Sequence, residues 1–477
     1  MRVLLVAPGE LGEHGKEFFS FYSSLKKLRS LPSLGLCNLS AVLKRAGYEC
    51  RILDAYAENL TAAEFRRRVA AFAPDAVGVT STTPYFDMAA KTCAELKRMS
   101  PDIPVILGGP HVTVMKEDAM GLATVDFAVR GEGEVSIIPL MEALQGHRPL
   151  SEVPNLYYRR EGKVVATKAD NQGVDVNSLP MPDRADLPLD HYYDALSLHK
   201  RAMSMMSTRG CPYRCLFCEE DVRGGKYRAR SVELTVAEME HIVKVLGFRE
   251  IIIYDDTFTA NRKRTVELCE QIIQRGLTFT WDCRTRVDRV DYELLALMKK
   301  AGCHRISFGV EAGTERVRDI LRKNITDTEI RNAFTWCRQL GIKTIGYFMF
   351  GTPSETKDEI VRTIEYAKEI SPDIAHFCIT APYPGTDLYR IGVEQGYFAP
   401  GFWEEYVRNG GVEKPRIPYF VSDSLTRAEL DGLLKRSYRE FYFRPSYILQ
   451  RLKSLNSVSE FLWNAKLVKE LSLMAFG

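Results

Sequence analysis

Three cysteines within one stretch of eight residues constrain this chain more than any other feature. They are Cys211, Cys215 and Cys218, in the spacing CxxxCxxC. A closed structural zinc site needs four protein ligands, whereas a four-iron cluster held by three thiolates keeps one iron open for a ligand that is not protein. The spacing therefore favours an iron–sulfur cluster with an open iron. A zinc knuckle and free buried thiols remain the alternatives.

The remaining cysteines are scattered along the chain, mostly in apolar segments where a free thiol behaves as a small hydrophobe. A disulfide framework is not expected in a chain of 477 residues without a secretion signal. We therefore expect reduced cysteines and a cytoplasmic location.

Composition excludes several classes of protein. With 45% hydrophobic and 27% charged residues the chain is globular, and its length predicts about three domains. A net charge of +3 argues against a dedicated nucleic-acid binder. Because no stretch approaches about 20 consecutive apolar residues, no membrane-spanning helix is expected.

The N-terminal third alternates short apolar runs with amphipathic stretches such as Leu36–Arg45, Ala62–Phe72 and Met88–Met99. This alternation predicts βαβ units and a parallel sheet. The predicted strands are Val3–Val6, Glu49–Leu53, Ala76–Val79, Val105–Leu107 and Phe127–Val129.

Small and polar residues follow these predicted strands. A parallel sheet binds ligands beyond the carboxyl ends of its strands, and glycines there allow a ligand to approach the backbone closely. The sequence therefore predicts a ligand site formed by Ser81, Thr82, Thr83, Gly108, Gly109, Gly131 and Glu132.

The β–α alternation returns after a proline-rich connection and continues to about residue 390. Six predicted βα units indicate a partial barrel with its chemistry at the carboxyl ends of the strands. The predicted strands are Met203–Ser207, Glu250–Tyr254, Thr278–Cys283, Arg305–Gly309, Thr344–Phe350 and Ile374–Ile379. Charged residues follow several of them, among them Asp256, Arg286 and Glu311.

Beyond Tyr397 the alternation stops, and the sequence predicts helices rich in aromatic residues and arginine. The first interpretation is a helical cap over the barrel mouth. The second is a surface that meets a lipid substrate or a membrane interface. The apolar positions behind both interpretations are Leu449, Leu452, Leu455, Phe461 and Leu462.

The cysteine stretch, with the aromatic Phe217 directly before its third cysteine, resembles the cluster motif of radical S-adenosylmethionine (SAM) enzymes. The resemblance implies a [4Fe–4S] cluster on Cys211, Cys215 and Cys218, with SAM chelated at the open iron through its amino and carboxylate groups. It also implies SAM contacts from Phe217, Asp256, Arg286 and Glu311. Carboxylates suit the ammonium and the ribose diol of SAM, and arginine suits its carboxylate.

The strand-end pattern of the N-terminal third resembles the cobalamin-binding domain of the cobalamin-dependent radical SAM enzymes. The resemblance implies that Ser81, Thr82, Thr83, Gly108, Gly109, Gly131 and Glu132 contact cobalamin. One motif departs from the family pattern, because Gly12 stands where the lower-ligand motif DxHxxG has its aspartate before His14. We therefore expect cobalamin to bind without a histidine lower ligand.

The predicted fold is α/β with four parts. Residues 1–145 form a Rossmann-like cobalamin-binding domain, 146–195 a linker, 196–395 a partial (β/α)6 radical SAM barrel, and 396–477 a helical C-terminal region. The resemblance implies methylation of an unactivated carbon in a small-molecule or lipid substrate, through a 5′-deoxyadenosyl radical formed with an electron donor such as flavodoxin or ferredoxin.

Other functions remain open. A radical SAM cyclase or oxidoreductase uses the same cofactors without methyl transfer. From other classes, a non-catalytic cobalamin carrier or sensor and a zinc-dependent binding module are alternatives. For the N-terminal domain, the alternative interpretation is a Rossmann-like fold that has lost its cofactor.

Overall fold

The computed structural model describes residues 1–11, 29–170, 172–219, 221–222, 226–411, 420–421 and 424–453. The expectation for His14 lies outside the described residues, as do Leu455, Phe461 and Leu462 of the predicted amphipathic tail.

The strands, β1 to β17 in chain order, are Arg2–Ala7, Arg29–Ser30, Glu49–Asp54, Ala76–Thr80, Val105–Gly108, Phe127–Val129, Leu156–Arg160, Lys163–Ala166, Tyr193–Asp194, Met203–Met205, Thr208–Arg209, Arg228–Ala229, Glu250–Ile253, Thr280–Thr285, Cys303–Glu311, Lys343–Phe350 and Ile374–Ile379. The α-helices are Leu34–Arg45, Ala62–Phe72, Phe86–Met99, Pro110–Met115, Gly133–Leu144, Val232–Lys244, Arg262–Gln274, Tyr292–Lys300, Glu315–Ile320, Asp327–Gln339, Lys357–Ile370, Asp387–Glu394, Phe402–Arg408, Arg427–Tyr442 and Pro445–Lys453.

The N-terminal sheet has the strand order β3-β1-β4-β5-β6-β7-β8. Its first five strands are parallel and are the five predicted from the sequence. Val3 and Leu5 pack in one apolar cluster of the protein, while Leu4 and Val6 pack in another. A strand buried on both faces is typical of a parallel sheet covered by helices on each side.

A β-hairpin extends this sheet into the segment predicted as a linker. β7 pairs antiparallel with β6, and β8 pairs antiparallel with β7. Leu156, Tyr157 and Tyr158 are buried. The sheet therefore continues to Ala166, because a strand can hydrogen-bond to the edge of a sheet in either the parallel or the antiparallel direction. The domain boundary at residue 145 stays a prediction.

The second sheet is the predicted six-stranded barrel wall, with the parallel order β10-β13-β14-β15-β16-β17. Its outward side chains pack against the surrounding helices; Trp281, Phe308, Phe348 and Phe377 belong to that apolar core. Alternate residues therefore face the interior of the barrel, here termed the lumen. The predicted fold class is confirmed.

Tyrosine hydroxyls cover the free edge of β17. Tyr442 Oη donates to the Ala375 carbonyl at 2.8 Å and accepts from the Ala375 amide at 3.1 Å. Tyr438 and Tyr447 donate to the carbonyls of Phe377 and Asp373, both at 2.9 Å. The helix Arg427–Tyr442 thus lies along the side of the barrel, not over its mouth, and satisfies an edge that otherwise pairs with foreign strands.

A shorter helix, Phe402–Arg408, connects the two sheets at their carboxyl ends. Tyr406 Oη donates to the Thr83 carbonyl at 3.1 Å, and Trp403 Nε1 donates to the Pro382 carbonyl at 3.2 Å. Thr83 follows β4 and Pro382 follows β17, so this helix fixes the predicted cofactor face beside the barrel. Among the described residues, no helix has the length and apolar character needed to cross a membrane.

Candidate cofactor and active site

The loop that carries the three cysteines begins at a buried carboxylate. Asp255, two residues after the end of β13, accepts from the Ser207 amide and hydroxyl, both at 2.6 Å, and from the Thr208 amide at 3.0 Å. Burial raises the pKa of Asp255, although these donors oppose the shift. Asp255 therefore ties the start of the cysteine loop to the neighbouring barrel strand.

The three cysteines lie on one loop at the carboxyl rim of the barrel. Cys215 is buried, Cys211 and Cys218 are half-buried, and none of the three forms a disulfide bond. The Cys218 amide donates to the Cys215 carbonyl at 3.0 Å, and Cys211 Sγ lies 3.5 Å from Thr257 Oγ1. Three soft donors on one loop, without a fourth cysteine beside them in the described residues, fit a cluster with an open iron.

A buried ion pair lies beside this loop. Lys323 Nζ donates to Glu311 Oε1 at 2.8 Å and lies 5.9 Å from the centroid of the Phe217 ring. Burial alone lowers the pKa of a lysine, but Glu311 and Cys215 outweigh it, so the pKa of Lys323 is raised. A fixed cation next to Cys215 favours the negative charge that thiolate ligands bring.

The backbone at Glu311 is strained. Its φ is +67°, in the left-handed region, and the pairing of β15 with β16 is irregular between Gly309 and Glu311. A Cβ placed on Gly309 would lie 2.3 Å from Glu311 Oε1 and 2.7 Å from Lys323 Nζ. The strand therefore needs glycine at 309 to turn Glu311 toward Lys323, and such strain is typical of functional sites.

Arg286 reaches the same group of residues. Its Nη2 donates to the Lys323 carbonyl at 2.6 Å, its Nε donates to Asp288 Oδ1 at 2.8 Å, and its guanidinium stacks 3.9 Å from the Tyr213 ring of the cysteine loop. Three of the four predicted SAM residues, Phe217, Arg286 and Glu311, therefore converge around Lys323. The fourth, Asp256, is exposed next to buried Asp255, and its SAM contact stays a prediction.

The predicted cobalamin face is built from interlocking loops. The Ser81 amide donates to the Gly108 carbonyl at 2.9 Å, and Thr113 Oγ1 connects Gly109 to Gly131. A Cβ placed on Gly109, where φ is +97°, would lie 2.7 Å from the Ser81 carbonyl oxygen. At Gly131 an added Cβ would meet no atom within 4 Å. The face is therefore close-packed at Gly109 and open at Gly131, as a backbone-lined ligand groove requires.

The two threonines of this face differ. Thr82 is exposed. Thr83 is buried and lies 3.1 Å from Nδ1 of His111, whose ring stacks on Phe86. Burial lowers the pKa of His111 to about 3, so its ring stays neutral. Thr82 is thus accessible to a ligand, while Thr83 supports the loop. The cobalamin contacts of both residues stay predictions.

Glu132 joins the two domains. Its carboxylate accepts from Arg228 at 2.7 and 2.9 Å, from the Val174 amide at 2.7 Å, and lies 3.2 Å from Arg209. Burial raises the pKa of a carboxyl group, but these two arginines outweigh burial and lower the pKa of Glu132. Its observed partners are therefore protein groups, and its contact with cobalamin stays a prediction.

A cavity of about 450 Å³ opens between the two domains beside the cysteines. Cys215 and Cys218 line it from the barrel, and Val114 and Lys116 line it from the N-terminal domain. The remaining lining side chains include Arg214, Glu219, Asp221, Arg322 and Asp387. The cluster loop and the cobalamin domain therefore face a common polar space.

Sequence reasoning missed two parts of this site. Lys323 lies in a loop after a short helix, where a lysine is ordinarily solvated. No spacing pattern in the sequence distinguishes it from a surface lysine. Arg209 and Arg228 lie on the short strands β11 and β12, whose pairing brings both guanidiniums to Glu132.

Two of the three cysteines at the rim of a partial β/α barrel share a cavity with residues of the N-terminal domain, whose strand ends carry glycines. This arrangement suits an enzyme that holds a cluster and a second large cofactor. The model of the radical SAM superfamily matches residues 205–367, and the model of the B12-binding domain matches residues 29–138. The chain belongs to the radical SAM superfamily, among the members that carry a B12-binding domain. The predicted cofactor classes, an iron–sulfur cluster with SAM and cobalamin, are confirmed by these two models.

Two relatives match most of the chain. An uncharacterized methyltransferase of Pyrococcus horikoshii is 32% identical over 422 residues, covering 88% of this chain and 89% of that protein. The anaerobic magnesium-protoporphyrin IX monomethyl ester cyclase of Rubrivivax gelatinosus is 30% identical over 426 residues, covering 87% of this chain and 75% of that protein.

Solved structures share the fold. The radical SAM methyltransferase TsrM of Kitasatospora setae, with cobalamin and a [4Fe–4S] cluster bound, has a TM-score of 0.72 at 17% identity and covers 92% of this chain and 88% of that one. The cobalamin-dependent enzyme OxsB has a TM-score of 0.75 at 17% identity, covering 100% of this chain and 72% of that one.

Proposed function

We propose that this enzyme methylates an unactivated carbon of a small-molecule or lipid substrate. The observation that carries the proposal is the cavity lined jointly by Cys215 and Cys218 of the cluster loop and by Val114 and Lys116 of the cobalamin domain. Two reactive centres that face one space meet a single substrate, and holding them together removes a large entropic barrier.

When bound, the cluster with SAM supplies a 5′-deoxyadenosyl radical that removes hydrogen from carbon, and methylcobalamin supplies the methyl group. The residues of this chain bind and orient these groups. Cys211, Cys215 and Cys218 ligate the cluster, and Lys323 balances part of its negative charge. Glu311 and Arg286 receive the ammonium and the carboxylate of SAM.

In this proposal the N-terminal domain holds cobalamin mainly through its main-chain atoms. The open positions at Gly108 and Gly131, and the accessible hydroxyl of Thr82, line the groove, while Gly109 keeps the loops close enough to form it. The absence of the DxHxxG motif around His14 supports cobalamin bound without a histidine lower ligand.

A second candidate is a cyclisation or oxidation without methyl transfer. It is favoured by the likeness to the magnesium-protoporphyrin IX monomethyl ester cyclase, which is nearly as strong as the likeness to the methyltransferase. The same barrel contacts serve both reactions, because each begins with hydrogen removal from carbon.

Methyl-deuterated SAM distinguishes the two candidates. The anaerobically reconstituted enzyme, loaded with cobalamin and reduced by flavodoxin or ferredoxin as the proposed electron donor, is incubated with candidate substrates. A transferred deuterated methyl group in the product supports methylation. A product changed in hydrogen count or ring number, without label, establishes the second candidate.

A further inference from the structure

Arg284 faces the lumen from the carboxyl end of β14. Trp281 and Cys283 of that strand pack in the outer apolar core, so the alternating positions Asp282 and Arg284 point inward. The half-buried guanidinium of Arg284 stacks 4.0 Å from the centroid of the Tyr254 ring. A stacked guanidinium keeps its N–H donors directed outward along its edges.

The neighbouring charges are already paired with one another. Arg29 and Arg305 donate to Asp194 at 2.7 and 2.6 Å, and Arg305 also donates to Asp282. Near the rim, Glu311 pairs with Lys323 and Arg286 with Asp288. Among the described residues, Arg284 has neither a carboxylate partner nor a hydrogen-bond acceptor, so this part of the lumen carries one unmatched positive charge.

The position of Arg284 separates it from the cluster. Arg286, two residues further along, stacks on Tyr213 of the cysteine loop, so Arg284 lies about 6–7 Å deeper in the barrel. The carboxylate of SAM, chelated at the cluster, is expected at the level of Arg286. The anion that Arg284 faces therefore belongs to a different molecule, bound deeper in the lumen.

The opposite wall of the lumen is largely apolar. Phe348, Phe350 and Phe377 of β16 and β17 pack outward, which turns Tyr347, Met349, His376 and Cys378 inward. The Tyr347 and His376 rings lie 5.4 Å apart, and both side chains are half-buried. Such a wall suits an apolar or aromatic group.

We propose that Arg284 is the anion-binding group of the substrate site, and that the substrate carries a carboxylate or phosphate on an apolar or aromatic body. This inference rests on the proposed function, because it takes the lumen as the place where the substrate binds. Aromatic stacking and a charge-assisted hydrogen bond together select such a molecule over its neutral analogue.

Equilibrium binding of small probes tests the inference without turnover. Phenyl phosphate, benzoate and neutral benzyl alcohol are titrated calorimetrically into enzyme loaded with cluster, cobalamin and saturating SAM, without reductant. We expect both anions to bind about tenfold or more tightly than the alcohol. Arg284→Met should abolish that preference and Arg284→Lys should keep part of it. Lys300→Met, a change of an exposed cation outside the barrel, should leave it intact.

Iron and cobalamin content show whether each variant is folded and loaded. If Arg284→Met keeps the preference for anions, or if saturating SAM excludes the probes in competition with them, Arg284 does not bind the substrate anion. A failure of the proposed function gives a different result. In that case the enzyme still binds the probes through Arg284, but its product carries no deuterated methyl group.

Discussion

Glu132 and Arg228 form a two-bond ion pair across the boundary between the cobalamin domain and the barrel, with N–O distances of 2.7 and 2.9 Å. The same carboxylate contacts Arg209, two residues before Cys211, and Arg209 also donates to Glu134 at 2.5 Å. The end of the cobalamin face is therefore tied directly to the start of the cluster loop.

Glu132→Gln should alter the spacing of the two cofactors while leaving both bound. The amide loses charge-assisted bonds worth about 1.5–3 kcal/mol, and the domains should separate more readily. We expect a weaker electron spin–spin interaction between cob(II)alamin and the reduced cluster, and less product per 5′-deoxyadenosine. Because the pKa of Glu132 is lowered on folding, the wild-type interaction should persist above the ordinary carboxyl pKa and weaken as acid protonates the group.

Glu142→Gln is the matched control, since Glu142 pairs with Arg148 on the surface of the same domain. An unchanged spin interaction in Glu132→Gln would show that the ion pair does not set the spacing.

Glu311→Gln should slow SAM cleavage without loss of the cluster. The substitution keeps the shape of the side chain but removes the charge that faces Lys323 and that we propose binds the ammonium of SAM. We expect 5′-deoxyadenosine formation to fall about tenfold or more, with iron content and cluster absorbance unchanged. Glu315→Gln, exposed at the start of the next helix, is the control. Normal cleavage by Glu311→Gln contradicts the SAM assignment.

Gly109→Ala should reduce cobalamin binding. The added methyl group would lie 2.7 Å from the Ser81 carbonyl, on a backbone with φ of +97°, so the two loops must move apart. We expect less cobalamin per chain, measured by absorbance after gel filtration, and normal iron content. Gly146→Ala has a similar φ of +79° but open space around it, and it separates backbone strain from the steric effect. Equal cobalamin in both variants would refute the proposed groove.

Glu355 should make stability depend on pH near neutrality. Burial raises the pKa of Glu355 to about 7 against an ordinary 4.5, although the Gly351 and Thr352 amides donate to it. Because the folded state binds this proton more tightly, the stabilisation is complete below the ordinary pKa and is lost as pH rises through about 7. The melting temperature of the wild type should therefore fall between about pH 5 and pH 8. We expect Glu355→Gln to remove the part of this fall that comes from Glu355.

Glu359→Gln is the control for that experiment, since Arg316 lowers the pKa of Glu359 to about 2, outside the range examined. Parallel pH profiles for wild type and Glu355→Gln would contradict the assignment.

The strands and the cluster loop could be predicted because their signals are local. The predicted run Ala76–Val79 has no polar side chain and lies between helical patterns, so a strand of a parallel sheet follows from periodicity alone. The hairpin Leu156–Ala166 was not predicted, since an antiparallel pair on the edge of a parallel sheet lies outside the βα pattern. The charges that surround the cluster were found only where they lie at the carboxyl end of a strand, as Glu311 does.

Contacts formed between distant segments could not be predicted. Lys323 reaches Glu311 because a strained strand end turns toward its loop, and no spacing in the sequence encodes that turn. The aromatic residues Tyr438 to Tyr447 were open to interpretation as a cap or a lipid-facing surface. Their hydroxyls instead satisfy β17, a relationship that exists only once strand and helix lie side by side.

The tyrosines that contact β17 also bear on how the barrel wall can close. The Ala375 amide and the carbonyls of Asp373, Ala375 and Phe377 are held by phenol groups, so these groups are not available to β10, the other terminal strand of the sheet. Among the described residues β10 and β17 do not pair, so the barrel wall has a gap between its two terminal strands, and the lumen is bounded there by segments that are not part of the sheet.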